Sequence, residues 1–172
     1  SLDIHSLGRI GQAINGNPGL RYGLSIIGSG LQNLNLPILK QLTGFLWLEN
    51  DSSLTSLNIP QLAYSPTISI WNCPLLASAT FSSLKNLGVI NMVTASELST
   101  VDFSSLKTAN TIRLKANQLS SVSFPVLTSS QIEITAPQLA SASFPVLQVC
   151  NTFNVTGGSQ LAVVSAPLLA TS

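Results

Sequence analysis

"LSSVSFPVL" (119–127) and "LASASFPVL" (139–147) repeat almost the same phrase twenty positions apart. With the Pro of "SFPVL" as a ruler, the phrase recurs along the chain. Pro125 and Pro145 fall in "FPVL", Pro37 in "LPIL", Pro60 in "IPQL" and Pro167 in "APLL", while Ser82 and Ser104 take the slot in two "FSSL" units. The intervals from one ruler to the next are 23, 22, 22, 21, 20 and 22. A period of this length sustained over several units is the mark of a solenoid, in which each unit buries its apolar face against its neighbours. His5 in "LDIHSL" reads as one earlier unit, set apart from Pro37 by a longer interval than the rest.

Other columns keep the same beat. Two positions after the ruler stands Leu in every unit: Leu7, Leu39, Leu62, Leu84, Leu106, Leu127, Leu147 and Leu169. One position before it come Ile4, Leu36, Ile59, Phe81, Phe103, Phe124, Phe144 and Ala166. Mid-repeat, Ile26, Leu48, Ile70, Met92, Leu114, Ile134 and Val155 align, each with an apolar partner two positions earlier. A fourth column is Leu31, Leu54, Leu75, Leu98, Leu119, Leu139 and Leu161.

Within a unit the local period is 2. "TISIW", "TIRLK", "QIEIT" and "TFNVT" alternate apolar and polar residues, as a strand with one buried face does. A shorter strand precedes the ruler in "LNL", "LNI", "ATF", "VDF", "VSF" and "ASF". No unit holds a helix-length stretch of 3.6 periodicity, which excludes helical repeats. The expected fold is therefore all-β: a single parallel β-helix of about 7–8 coils with a 20–23 residue repeat, occupying 1–172 as one domain. Regular coils are expected over 24–169, and the Gly- and Asn-rich stretch 8–23 is expected to be an irregular loop or a cap. Eight coils at the spacing of paired strands would make a rod about 38 Å long. The last coil should offer an open strand edge, with edge-to-edge association as one outcome.

Composition narrows the partners. Of 172 residues 45% are hydrophobic and only 8% charged, against roughly a quarter charged in an ordinary soluble domain. The mean hydropathy is +0.41, yet no apolar run reaches the length of a membrane span. A net charge of +1 gives no reason to expect nucleic acid or an anionic membrane. The missing initiator Met and signal-like segment predict a mature fragment or a piece cut for expression, so that targeting signals could have been removed.

The pattern in "LTSLNIPQLAYSPTISIWN" (54–72) and "LNLPILKQLTGFLWLEN" (34–50) resembles the receptor L-domain fold. It is most similar to the leucine-rich-repeat-like solenoids of fungal GPI-anchored cell-wall proteins, the sporulation-specific and extracellular-mutant type. More distant are the ligand-binding L domains of insulin and EGF receptors. The resemblance covers 24–169. Two departures stand out: Gly precedes the main strand only sporadically (Gly23, Gly44, Gly88), and the cysteines that brace receptor L domains are missing. The resemblance implies a secreted, cell-surface or wall-associated glycoprotein module that is not an enzyme, with cell-wall polysaccharide or another surface protein as partner.

Among the residues themselves, Asn50 in "NDS" and Asn154 in "NVT" are N-glycosylation acceptors, Asn50 the better placed because it directly follows a strand. Trp47 and Trp71 fall at outward positions on adjacent coils, diagonal to one another with Glu49 beside them. Such aromatics stack on sugar rings or anchor a protein partner, unless a second layer such as 8–23 covers them. Arg113 and Glu133 should face each other as a cross-strand pair, and Lys85 and Lys107 share a solvated column. The outward Ser/Thr/Asn row of the short strand, interrupted by Asp102, raises ice binding as an alternative. Catalytic residues are not expected. His5 is the sole His, and Asp3, Glu49, Asp51, Glu97, Asp102 and Glu133 are scattered over different columns, so neither a metal site nor a cofactor is expected. Cys150 aligns with Leu42, Leu87 and Ala109 as a core thiol, while Cys73 falls in a turn too distant for a disulfide.

Overall fold

The computed structural model describes residues 2–3, 9–10, 23–93 and 95–169. Among them the chain forms strands and turns and no helix, hence none long and apolar enough to cross a membrane. The short strands are β1 (Leu2–Asp3), β4 (Asn33–Asn35), β7 (Ser56–Asn58), β9 (Ser78–Thr80), β11 (Thr100–Asp102), β13 (Ser121–Ser123), β15 (Ser141–Ser143) and β17 (Val163–Ser165). The long ones are β3 (Leu24–Ile27), β6 (Phe45–Glu49), β8 (Tyr64–Trp71), β10 (Asn86–Val93), β12 (Thr108–Lys115), β14 (Ser129–Ala136) and β16 (Phe153–Gly157). Two corner strands, β2 (Arg9–Ile10) and β5 (Gln41–Leu42), belong to the long sheet. Every pairing is parallel and links one coil to the next. The result is a parallel β-solenoid of about six complete turns with partial ones at either end.

The earliest unit is in register with the rest. Leu2 pairs with Leu34 and Arg9 with Gln41, the same offset along the chain as from His5 to Pro37. Arg9–Ile10 is thus a strand rather than part of an irregular loop. The remainder of 8–22 and His5 itself lie outside the described residues.

Alternation explains the interior. In Phe45–Glu49 the leucines at 46 and 48 turn inward and are buried, and Ile68, Ile70, Ile90, Met92, Ile112, Leu114, Ile132 and Ile134 continue the two files. Leu62, Leu84 and Leu106 lie in one wholly buried file. The ruler closes a β-turn: the amides of Leu62, Leu84 and Leu106 donate to the carbonyls of Ile59, Phe81 and Phe103. Pro60 is the second residue of such a turn, where its fixed φ is favourable and its missing N–H is not needed. Preceding the ruler, Phe81, Phe103, Phe124 and Phe144 stack ring on ring, with centroids 5.4, 5.7 and 5.4 Å apart and planes within 10° of parallel. Phe153 ends the column edge-on, 5.3 Å from Phe144.

One column needs correction. Leu75 is 49% exposed, and Leu76, at 0%, is the inward residue. The amide of Leu76 donates to the Cys73 carbonyl at 3.1 Å, closing a turn whose outer corners are Pro74 and Leu75. Cys73 opens this turn, as expected, and is fully buried, while Cys150 packs against the core and is only partly buried. Both are free thiols.

Two irregularities follow from shortened coils. Met92 to Leu98 takes six steps along the chain, but Leu114 to Leu119 takes five. The turn is tighter, and the short sheet breaks there: β1-β4-β7-β9-β11 form one sheet and β13-β15-β17 another. A groove of about 390 Å³ opens at the break, between Val101–Ser104 and Ser121–Pro125. The next coil is short elsewhere. Leu127 to Ile132 takes five steps where Leu106 to Ile112 and Leu147 to Phe153 take six. Accordingly the register of β12 on β14 shifts between Thr108↔Ser129 and Thr111↔Gln131, a β-bulge.

Candidate functional site: the outer face of the long sheet

The residues that alternate outward on the long strands make three columns along the coil axis. The first runs Phe45, Thr67, Val89, Thr111, Gln131; the second Ser25, Trp47, Ser69, Asn91, Arg113, Glu133, Asn154; the third Ile27, Glu49, Trp71, Val93, Lys115, Thr135, Thr156. The N-terminal coils of this face are aromatic and apolar; the later coils are polar and charged.

Trp47 sits opposite Ser69, and Glu49 opposite Trp71, so the indoles are diagonal neighbours as the alternation implies. Their planes lie within 9° of parallel with centroids 6.5 Å apart. That is wider than in the phenylalanine column, so the rings are slipped and each keeps free face. Trp71 is 40% exposed. The Trp47 Nε1–H donates to Glu49 Oε2 at 2.8 Å, which fixes that ring and leaves the carboxylate further acceptor capacity. Ser69, flanked by Trp47 on the adjacent strand and Trp71 on its own, is only 5% exposed although it points away from the core. One place further, Asn91 has a side-chain oxygen that is buried and accepts no hydrogen bond. Buried polar atoms are rarely left so. Trp47, Trp71 and Glu49 thus combine apolar ring faces with a carboxylate acceptor for hydroxyl or amide donors, whereas the Asn91 oxygen is covered and faces no ligand. Asn91 was not singled out from sequence, though the repeat register alone puts it two strands from Trp47 in the same column.

The strand that carries Trp47 ends in a fixed turn. Asn50 and Asn72 adopt positive φ of 54° and 49°, and Gly28 stands at the same place one coil earlier with 55°. Asn tolerates this left-handed conformation better than most residues. The Asn72 Nδ2–H donates to Asn50 Oδ1 at 2.8 Å, forming an amide ladder. Next to it Asp51 is buried, accepting from the Ser29 hydroxyl and from the Ser53 amide at 3.4 Å. Both acceptor asparagines lie at the surface: Asn50 in this turn and Asn154 on β16, where the Thr156 hydroxyl donates to Asn154 Oδ1 at 3.2 Å.

Farther along, Arg113 Nε donates to Glu133 Oε2 at 2.7 Å, the cross-strand pair read from the columns. Lys85 and Lys107 share one backbone ladder on another side. Burial pushes the Cys73 thiol above its usual value, as do the nearby carboxylates of Asp51 and Glu49, while a backbone hydrogen bond pulls it down. The Cys150 thiol is also raised, chiefly by burial. No group of three or more His, Cys, Asp or Glu side chains comes together among the described residues.

Compared with family models, curated proteins and solved structures, the chain finds no match. The reading of its function therefore rests on this face.

Proposed function

We propose that the chain is a non-enzymatic module of an extracellular surface or cell wall, built in the receptor L-domain mould, which binds carbohydrate through Trp47, Trp71 and Glu49. The observation that carries this is the slipped indole pair beside the Glu49 carboxylate, which keeps acceptor capacity beyond its bond from Trp47. Aromatic faces receive the apolar faces of sugar rings, and the carboxylate accepts from sugar hydroxyls. A rigid sheet pre-arranges these groups, so little ordering entropy opposes binding. The low charge of the chain suits a neutral wall polymer such as glucan or chitin, and another surface protein is the competing partner.

Attachment of glycans at Asn50 and Asn154 belongs to the same proposal, since both are surface residues in sequons. So does a GPI-anchored wall location. A signal peptide, a Ser-rich stalk and a hydrophobic tail in the full-length gene product would support that location. Ice binding draws less support. The Ser56 hydroxyl donates to Asn33 Oδ1 and the Asn58 amide to Asn35 Oδ1, so these groups are spent on each other, and the short sheet is broken at β11.

The test is retention on insoluble glucan and on chitin by the wild-type chain and by Trp47→Ala/Trp71→Ala. Retention by the wild type and its loss in the double variant is expected. Equal retention of both, or none of the wild type on either polymer, would overturn the carbohydrate reading.

A further inference from the structure

The bulge between β12 and β14 makes a second feature on the same face. Because the coil of β14 is one position short, Asn110 bulges out against Ser130, and β16 regains the position on the other side. A notch of about 250 Å³ forms there, lined by Asn110, Ser129, Gln131 and Asn151 together with Ala109 and Val149. Its exposed polar side chains are neutral amides, able both to donate and to accept. Gln131 Oε1 already takes a weak bond from the Thr111 hydroxyl at 3.5 Å, which steadies one wall.

Notch and indole pair are connected. Gln131 ends the outward column that begins at Phe45 beside Trp47, and Thr67, Val89 and Thr111 lie between. From β8, which carries Trp71, to β14 is three strand steps, about 14 Å. No single sugar ring spans that distance; an extended chain of rings does. In the first two outward columns the charged residues are Arg113 and Glu133, which pair with each other, and Lys115 stands apart in the third. The line from Trp47 to the notch therefore offers no uncompensated cation to an acidic polymer among the described residues. Both features stand on one hydrogen-bonded sheet at a fixed separation. Engagement of the second is then intramolecular and strengthens binding without new flexibility.

We infer that the ligand is a neutral, extended polysaccharide lying along the coil axis, its rings on Trp47 and Trp71 at one end and hydrogen-bonded in the Asn110–Gln131–Asn151 notch at the other. This rests on the carbohydrate reading above and names the form of the ligand.

The experiment is calorimetric titration with laminarin- and chitin-derived disaccharides and hexasaccharides. The hexasaccharide is expected to bind the wild type at least about tenfold more tightly than the disaccharide, the gain from one or two net hydrogen bonds. In Asn110→Ala/Gln131→Ala the disaccharide should bind as in the wild type and the gain should vanish. Both residues are exposed, and an unchanged circular dichroism spectrum verifies that the variant is folded. Equal affinity for the two lengths, survival of the gain in the notch variant, or equal binding of a uronic-acid hexamer would each overturn this inference while leaving the indole site standing. Absence of binding for both lengths defeats the carbohydrate reading and this inference with it.

Discussion

Aromatic rings stack in two places on this molecule, and the two stacks do different things. Inside, Phe81, Phe103, Phe124 and Phe144 repeat at the coil spacing, wholly buried, each ring covering the next. Outside, Trp47 and Trp71 are near-parallel but slipped, diagonal rather than in file, and the pair is not continued: the next residues in their columns are Ser69 and Val93. The inner column repeats because every coil must fill the same slot. The outer pair occurs once, as expected of a site rather than a scaffold. Repetition marks what holds the fold; departure from it marks what the fold presents.

Substitutions separate the two roles. Phe103→Ala removes a ring from the middle of the buried column and should cost about 3–5 kcal/mol in denaturant unfolding, because neighbours on both sides are held by the ladders and cannot collapse into the void. A loss below that range would mean the column is not packed as described. Leu76→Ala should cost about 2–5 kcal/mol and Leu75→Ala next to nothing, since Leu76 is inside and Leu75 on an outer corner. Reversal of that order would restore the sequence alignment and discredit the turn at Cys73–Leu76. Trp47→Ala/Trp71→Ala should cost only about 1 kcal/mol of stability, the scale of one aromatic pair, while removing retention on polysaccharide. Smallest of all, a double-mutant cycle on Arg113 and Glu133 should return about 0.2–1 kcal/mol, falling with added salt as an exposed pair does.

Most of the scaffold was legible because it repeats. Apolar residues at alternate positions, recurring once per coil, specify strand, inward face and neighbour at once, and the pairing of Arg113 with Glu133 or Trp71 with Glu49 follows by subtraction. What failed was local. Leu75 and Leu76 adjoin, and only the turn after Cys73 decides that Leu76 faces inward. Cys150 aligned with core residues and packs against the core, though less deeply than Leu42, Leu87 and Ala109. The burial of Asp51 depends on a hydroxyl one coil away, that of Ser29, which no local pattern announces. The bulge and the sheet break were present as ruler intervals of 21 and 20, yet a shortened period does not say which corner gives up the position. The site divides the same way. The alternation put Trp47, Trp71 and Glu49 on one face, whereas the bond from the Trp47 indole to the Glu49 carboxylate is a property of packing.

Cross-strand nuclear Overhauser contacts of β10 probe the stacked coil most directly. Val89 pairs with Thr67 and Thr111, and Met92 with Ile70 and Leu114, each partner one coil away on either side. Backbone contacts from Val89–Val93 to both sets of partners, in parallel register, are the expected result. Contacts running antiparallel, or to one side only, would contradict the solenoid and everything built on its outer face.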